Sequence, residues 1–191
     1  RKHDITSPES IRRHLEAGLA GRIEETPKPG DPRLADVTTV MTVTPMKALE
    51  AAAALARRQG FVPEILGDRL EGLSRTLAHE HAALIRQRLR DGRRLAIISG
   101  GETTVEVKGK GRGGRNVEYL LALALELQAL PGAWSLAADT DGVDGVEEIA
   151  GAVIGPDTLA RARAAGIDAP AWLDDNDGHG FFEALGDTIV T

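Results

Sequence analysis

Residues Gly109 to Asn116 read Gly-Lys-Gly-Arg-Gly-Gly-Arg-Asn, eight positions holding four glycines, a lysine, two arginines and an asparagine. Glycine lets main-chain N–H groups turn towards one centre and lets a ligand approach the backbone closely. The apolar stretch from Val117 to Leu130 predicts a buried helix, whose first turn adds unpaired N–H groups and the positive end of a dipole. Lys110, Arg112 and Arg115 add positive charge, and arginine grips phosphate or carboxylate in a two-pronged geometry. The combination favours a phosphoryl or carboxylate ligand on Lys110, Gly111, Arg112, Gly113, Gly114, Arg115 and Asn116. A surface turn with solvated charges is the alternative, and the charge density ahead of a buried helix weighs against it. The loop ends in Gly-Arg-Asn, not the Gly-Lys-Ser/Thr of a Walker A loop. Gly109, Gly111 and Gly114 do match G-x-G-x-x-G, and Asp139 follows at the end of the next strand, as a nicotinamide dinucleotide site would want. The segment before the loop alternates and is charged, however, where a dinucleotide fold needs a buried apolar strand.

Ser99 to Thr104 (SGGETT) follow the apolar run Leu95 to Ile98. Ligands of open parallel sheets sit at the carboxyl ends of strands. Main-chain groups of Ser99, Gly100 and Gly101 and the hydroxyls of Thr103 and Thr104 are therefore candidates for an anion, and Glu102 for Mg²⁺ or for orienting an arginine. A tight turn with a structural Glu is the competing reading. Asp139 to Gly145 (DTDGVDG) place three aspartates in six positions after the strand-like WSLAA. Asp139 and Asp141 are candidate ligands of a divalent cation, or acceptors for a sugar-like hydroxyl. The spacing is not that of an EF-hand, and an Asp/Gly turn with solvated acids is the alternative. In NDGHGFF (Asn176 to Phe182), Asn and Asp read as caps of a short helix. His79 and His81, two apart on a predicted helix, do not share a face to hold a metal.

The elements that must position these residues alternate. Residues 1–20 predict an amphipathic helix, and residues 21–36, with three prolines, a linker. Val37 to Thr44 (VTTVMTVT) is β-branched and predicts a strand. A helix from Pro45 to about Gln59, a strand from Phe61 to Leu66, a helix from Glu71 to Arg90 and a strand from Leu95 to Ile98 follow, with Glu102 to Val107 extended. Beyond the Gly loop and its helix come strands at Trp134 to Ala138 and Ala152 to Ile154, a helix from Pro156 to Ala165, and helical pieces at Pro170 to Leu173 and Gly180 to Leu185. The closing DTIVT reads as another strand. This predicts an α/β fold, a mainly parallel sheet flanked by helices, in a single domain (37–191) preceded by an N-terminal helical arm and linker (1–36).

Composition narrows the function classes. Aromatics are 3% of the 191 residues and the formal net charge is -6, which argues against a dedicated nucleic-acid or anionic-membrane binder. The absence of cysteine removes disulfides and thiolate chemistry and suits a cytoplasmic protein. No apolar run approaches the ~18 residues of a membrane span. The first residue is Arg, and the reading is of a fragment of a longer protein.

Four features stand in order: SGGETTVEVKGKGRGGRN, a Leu/Ala-rich helix, AADTDGVDG followed by AGAVI, and NDGHGFFEALGD. In combination they resemble the C-terminal (MOFRL) domain of the glycerate 2-kinase family, over about residues 92–191, with ETPKPGDP and ALEAAAALARRQGF resembling that family upstream. Some members carry the name hydroxypyruvate reductase. The resemblance implies ATP-dependent phosphorylation of D-glycerate to 2-phosphoglycerate with Mg²⁺, in a cleft shared with an N-terminal domain that this chain lacks. Arg115 matches the family's functional arginine and is implied to be the catalytic residue. Ser99 to Thr104 match its SGGETT turn, and Asp139 and Asp141 its acidic turn. Val117 stands where the family carries Gln. The family's Gly-Pro-Thr-Gly-Thr-Asn segment would come after Thr191. The implied partners are a small hydroxy acid, a nucleotide and the missing domain, and the chain alone is expected to be inactive. The alternatives are an NAD(P)H-dependent hydroxypyruvate reductase and a non-catalytic anion-binding module.

Overall fold

A run of small and apolar residues with helical spacing, opened by Thr44 and Pro45, forms α2 (Pro45–Arg58) in the computed structural model; the Thr44 hydroxyl accepts from the Lys47 N–H as the cap. The structure describes residues 7–146 and 148–191. It divides into two units, Arg1–Thr42 and Val43–Thr191. Within the first, α1 (Glu9–Leu19) carries the ion pairs of Arg12 with Glu9 and Glu16. The first six residues of the helix expected over 1–20 lie outside the described residues. A 3₁₀ turn at Pro32–Leu34 is capped by Asp31.

In the second unit, β1 (Val62–Leu73) leads through α3 (Ser74–Leu89) to β2 (Leu95–Thr104), and the two strands pair in parallel. α4 (Arg115–Leu127) follows the Gly loop, and then come β3 (Ser135–Ala138) and β4 (Gly151–Ile154). The helices α5 (Thr158–Ala164), α6 (Ala169–Asp174) and α7 (Gly178–Leu185) lead to β5 (Thr188–Ile189). β3, β4 and β5 form an antiparallel sheet. The α/β class holds, with the longest ladder parallel and the short ones antiparallel.

α4 is the axis of the core. Val117, Leu120, Leu121 and Leu123 have no exposed surface, so the helix that reads as apolar nearly all round is wrapped on every side. Ala78 and Ala82 of α3 let the two helices approach closely, and Phe181 and Phe182 of α7 close the other flank.

Three expectations about elements are corrected. Val37 to Thr44 forms no ladder; its Val37, Val40, Met41 and Val43 side chains are all exposed, and β propensity without a pairing edge does not make a strand. SGGETT is not a turn after a short strand, because β2 runs on through Thr104. The ladder passes an irregularity opposite Gly67, and Gly101 (φ 154°) lies against Leu70 so tightly that a Cβ would stand 2.1 Å from the Leu70 carbonyl oxygen. β1 likewise extends to Leu73, so α3 starts at Ser74 and not at Glu71.

Candidate functional site

Arg115 is the first residue of α4, and the end of β2 and the segment after β3 meet at its side chain. Its Nη2 donates to Asp139 Oδ1 at 2.7 Å, and its Nη1 lies 3.6 Å from Glu102 Oε1. Asn116 Nδ2 donates to the other Asp139 oxygen at 2.9 Å. Burial pushes the Asp139 carboxyl above its ordinary pKa; Arg115 pulls it down, while Asp144 and Asp141 add to the rise. Ser99, Gly100, Gly101, Thr103, Arg115, Asn116 and Asp139 all line one open cleft. Thr103 is tied to α4 through Ser74, whose hydroxyl lies 2.8 Å from the Thr103 hydroxyl and donates to the Arg115 carbonyl at 3.1 Å. Glu102, 77% exposed at its side chain, stands at the rim.

The Gly loop behaves differently from its sequence reading. Lys110, Gly111, Arg112, Gly113 and Gly114 do not line this cleft. The backbone of residues 109–113 lies along residues 175–178, and Gly114 lies against Asp144. Asn176 Oδ1 accepts from the N–H groups of Lys108 and Gly109, Asp175 Oδ1 from Lys110, Asp177 Oδ1 from Arg112, and the Asp175 carbonyl from Gly111. A Cβ at Gly109 would stand 2.1 Å from the Asp175 carbonyl oxygen, and one at Gly111 would stand 2.3 Å from Asp177 Cβ. Gly109 and Gly111 thus serve a close contact with another stretch of backbone, and the amides of Gly109, Lys110, Gly111 and Arg112 are taken by Asn176, Asp175 and Asp177. The Arg112 guanidinium pairs with Glu183 at 2.7 Å.

The N-terminus of α4 is also satisfied from within. Asp144 has no exposed surface, and its carboxylate accepts from the N–H groups of Asn116 (3.1 Å) and Val117 (2.9 Å) and from Asn116 Nδ2 (3.1 Å). It does at a distance what a capping side chain does locally, because the cap residue is Gly114 and makes no side-chain bond. Sequence reading treated Asp144 only as part of an acidic turn. It likewise missed Glu118, 3% exposed, which pairs with Arg75 Nε at 2.6 Å and accepts from Asn176 Nδ2 at 3.2 Å. The available signal is an acid in the first turn of a helix with a long apolar run, next to Val117 and ahead of Leu120 and Leu121, since a buried carboxylate requires a partner.

Asp139 and Asp141 do not fit a resident divalent cation. Both Asp139 oxygens are engaged by Arg115 and Asn116, and Asp141 Oδ1 accepts from the Val143 N–H in its own turn. Among the described residues no group of three or more His, Asp or Glu side chains gathers to hold a metal. His79 bonds Glu126 and His81 bonds the Tyr119 hydroxyl. No helix among the described residues is long and apolar enough to cross a membrane.

Residues 95–191, from the start of β2 to the last residue, match the MOFRL family model. The chain belongs to the MOFRL family. Over its full length it is 44% identical to a protein named as a hydroxypyruvate reductase from Agrobacterium vitis, covering 43% of that protein. It is 31% identical to the solved glycerate kinase of Thermotoga maritima, covering 100% of this chain and 44% of that one with a TM-score of 0.81. A glycerate 2-kinase from Pyrococcus horikoshii is 32% identical over 96% of this chain. The chain therefore spans less than half the length of these relatives. Relatives of this MOFRL chain bear both kinase and reductase names.

Proposed function

We propose that this chain is the C-terminal part of a glycerate 2-kinase, and that it contributes one wall of the site in which ATP phosphorylates D-glycerate to 2-phosphoglycerate. The observation that carries this reading is the convergence of Ser99, Arg115, Asn116 and Asp139 on one open cleft. Arg115 is held by Asp139 with its guanidinium at the cleft, so it is oriented before any ligand arrives. A fixed guanidinium there stabilises charge on a transferring phosphoryl group or holds the glycerate carboxylate. Ser99 and Asn116 add polar groups for the substrate's oxygens. Mg²⁺ in this reading arrives with the nucleotide, since the acidic turn offers it no cage. Arg115→Ala in the full-length protein is expected to lower turnover at least ~10²-fold in a coupled assay for ADP release. Unchanged turnover favours a non-catalytic anion-binding module.

A second reading, an NAD(P)H-dependent hydroxypyruvate reductase, has the name of the Agrobacterium relative behind it. Its sequence support is the G-x-G-x-x-G match, and the packing of Gly109 and Gly111 against Asp175 and Asp177, and of Gly114 against Asp144, accounts for those glycines without a dinucleotide. Parallel titrations of the full-length protein with ATP and with NADH, the latter followed by nicotinamide fluorescence, separate the two. Tight NADH binding without ATP binding overturns the kinase reading.

A further inference from the structure

β1 gives way to α3 at Ser74, and this one side chain reaches two further elements. Its Oγ lies 2.8 Å from Thr103 Oγ1 near the end of β2 and 3.1 Å from the carbonyl oxygen of Arg115, the first residue of α4. A serine or threonine hydroxyl has one proton to give and two lone pairs to accept with, and a carbonyl has no proton. The Ser74 proton therefore serves the Arg115 contact, and the other contact needs the proton of Thr103. Only one arrangement makes both bonds: Thr103 donates to Ser74, and Ser74 donates to Arg115. Ser74 is 1% exposed, so water does not compete for either bond.

Thr103 is half-buried and lines the same open cleft as Arg115. Thr104 does not line it, and its own hydroxyl donates to the Gly72 carbonyl at 3.3 Å. Thr103 thus meets the cleft with its proton spent and acceptor capacity left over. A lone pair repels the oxygens of a carboxylate, a phosphate or a ketone, and it accepts from a hydroxyl. Arg115, joined to the same chain of bonds through its carbonyl, brings a guanidinium suited to a carboxylate or phosphoryl group.

We propose that Thr103 is a specificity-determining residue that accepts a hydrogen bond from a hydroxyl of the ligand, and that Ser74 is the positioning residue that makes it an acceptor. This rests on the reading of the cleft as a hydroxy-acid site. It assigns Thr103 the opposite role from a donor to an anion. The ligand class is a small acid that carries an anionic group for Arg115 and a hydroxyl for Thr103. An acid whose remaining oxygen is a ketone can only accept, and it meets a lone pair at Thr103.

Calorimetric titration of the full-length protein with D-glycerate and with pyruvate tests this. Both are three-carbon carboxylates, and only the first carries hydroxyls. The unmodified protein is expected to hold D-glycerate at least ~10-fold more tightly than pyruvate. Thr103→Val, which exchanges the hydroxyl for a methyl group, is expected to weaken D-glycerate by about that factor and pyruvate not at all, with Thr103→Ser restoring the preference. Ser74→Ala releases the Thr103 proton to the cleft, where it can serve a ketone; pyruvate is expected to tighten and the preference to fall at least ~3-fold. Equal weakening of both acids by Thr103→Val means donation to the shared carboxylate and overturns the proposal, as does an unchanged preference in either variant. The Ser74→Ala result decides if Thr103→Val does not fold. An unmodified protein that binds both acids alike overturns the role of Thr103 alone, whereas one that binds neither overturns the hydroxy-acid reading itself.

Discussion

Asp144 carries more of the site than its place in an acidic turn suggests. Its buried carboxylate fixes the first turn of α4 and hence the base of the Arg115 side chain. Asp144→Ala would strand two buried amides and is expected to lower stability by about 2–4 kcal/mol, read from urea unfolding, with Asp144→Asn recovering part of the loss. Tyr119, the single tyrosine, offers a second check. Burial pushes its phenol up to about 12, with a bond to Ser135 opposing the rise. The folded state therefore favours the protonated form. That stabilisation is complete below the unfolded phenol's pKa of ~10 and is lost as pH rises through about 12. Tyrosinate absorbance should stay low in the folded chain at pH values that ionise it in urea; matching titrations would show that Tyr119 is not buried in this way. At this scale the sequence revealed the arginine and the aspartates as chemically capable. It did not reveal that Asp139 is already engaged by Arg115, because 24 residues separate them and only the β2–α4–β3 geometry joins them.

Among elements, the Gly loop and the NDGH segment form one unit. Periodicity made α2, α3 and α4 readable, and Asp177 does cap α7 at Gly180 as its residue type suggests. What glycine density cannot reveal is whether the close neighbour is a ligand or another stretch of backbone. Here it is residues 175–178, so Gly111→Ala is expected to destabilise the protein by at least ~2 kcal/mol with no ligand present. An unchanged melting temperature would restore the ligand-cradle reading. Asn176 supports the same joint: it is buried, has φ 56°, and bonds two loop amides. Asparagine tolerates this left-handed conformation better than most residues, which is why Asn and not a larger side chain suits the position.

For the whole molecule, the decisive fact is extent: a 191-residue chain spans 44% of the kinase whose fold it shares. On the proposed kinase reading, a cleft as open as this one does not exclude water around a transferring phosphoryl group. The isolated chain is expected to release no ADP above background with ATP and D-glycerate, and robust turnover would refute the shared-cleft reading. The sequence by itself determined the α/β class and the helices with strong apolar periodicity, and it marked a set of candidate residues for an anion, because these depend on local spacing and side-chain chemistry. Tertiary structure alone decided that Ser99, Arg115 and Asp139 share a cleft while the backbone of residues 109–113 lies along residues 175–178 instead. Those outcomes depend on contacts between segments far apart in the chain, which side-chain type and local periodicity do not encode.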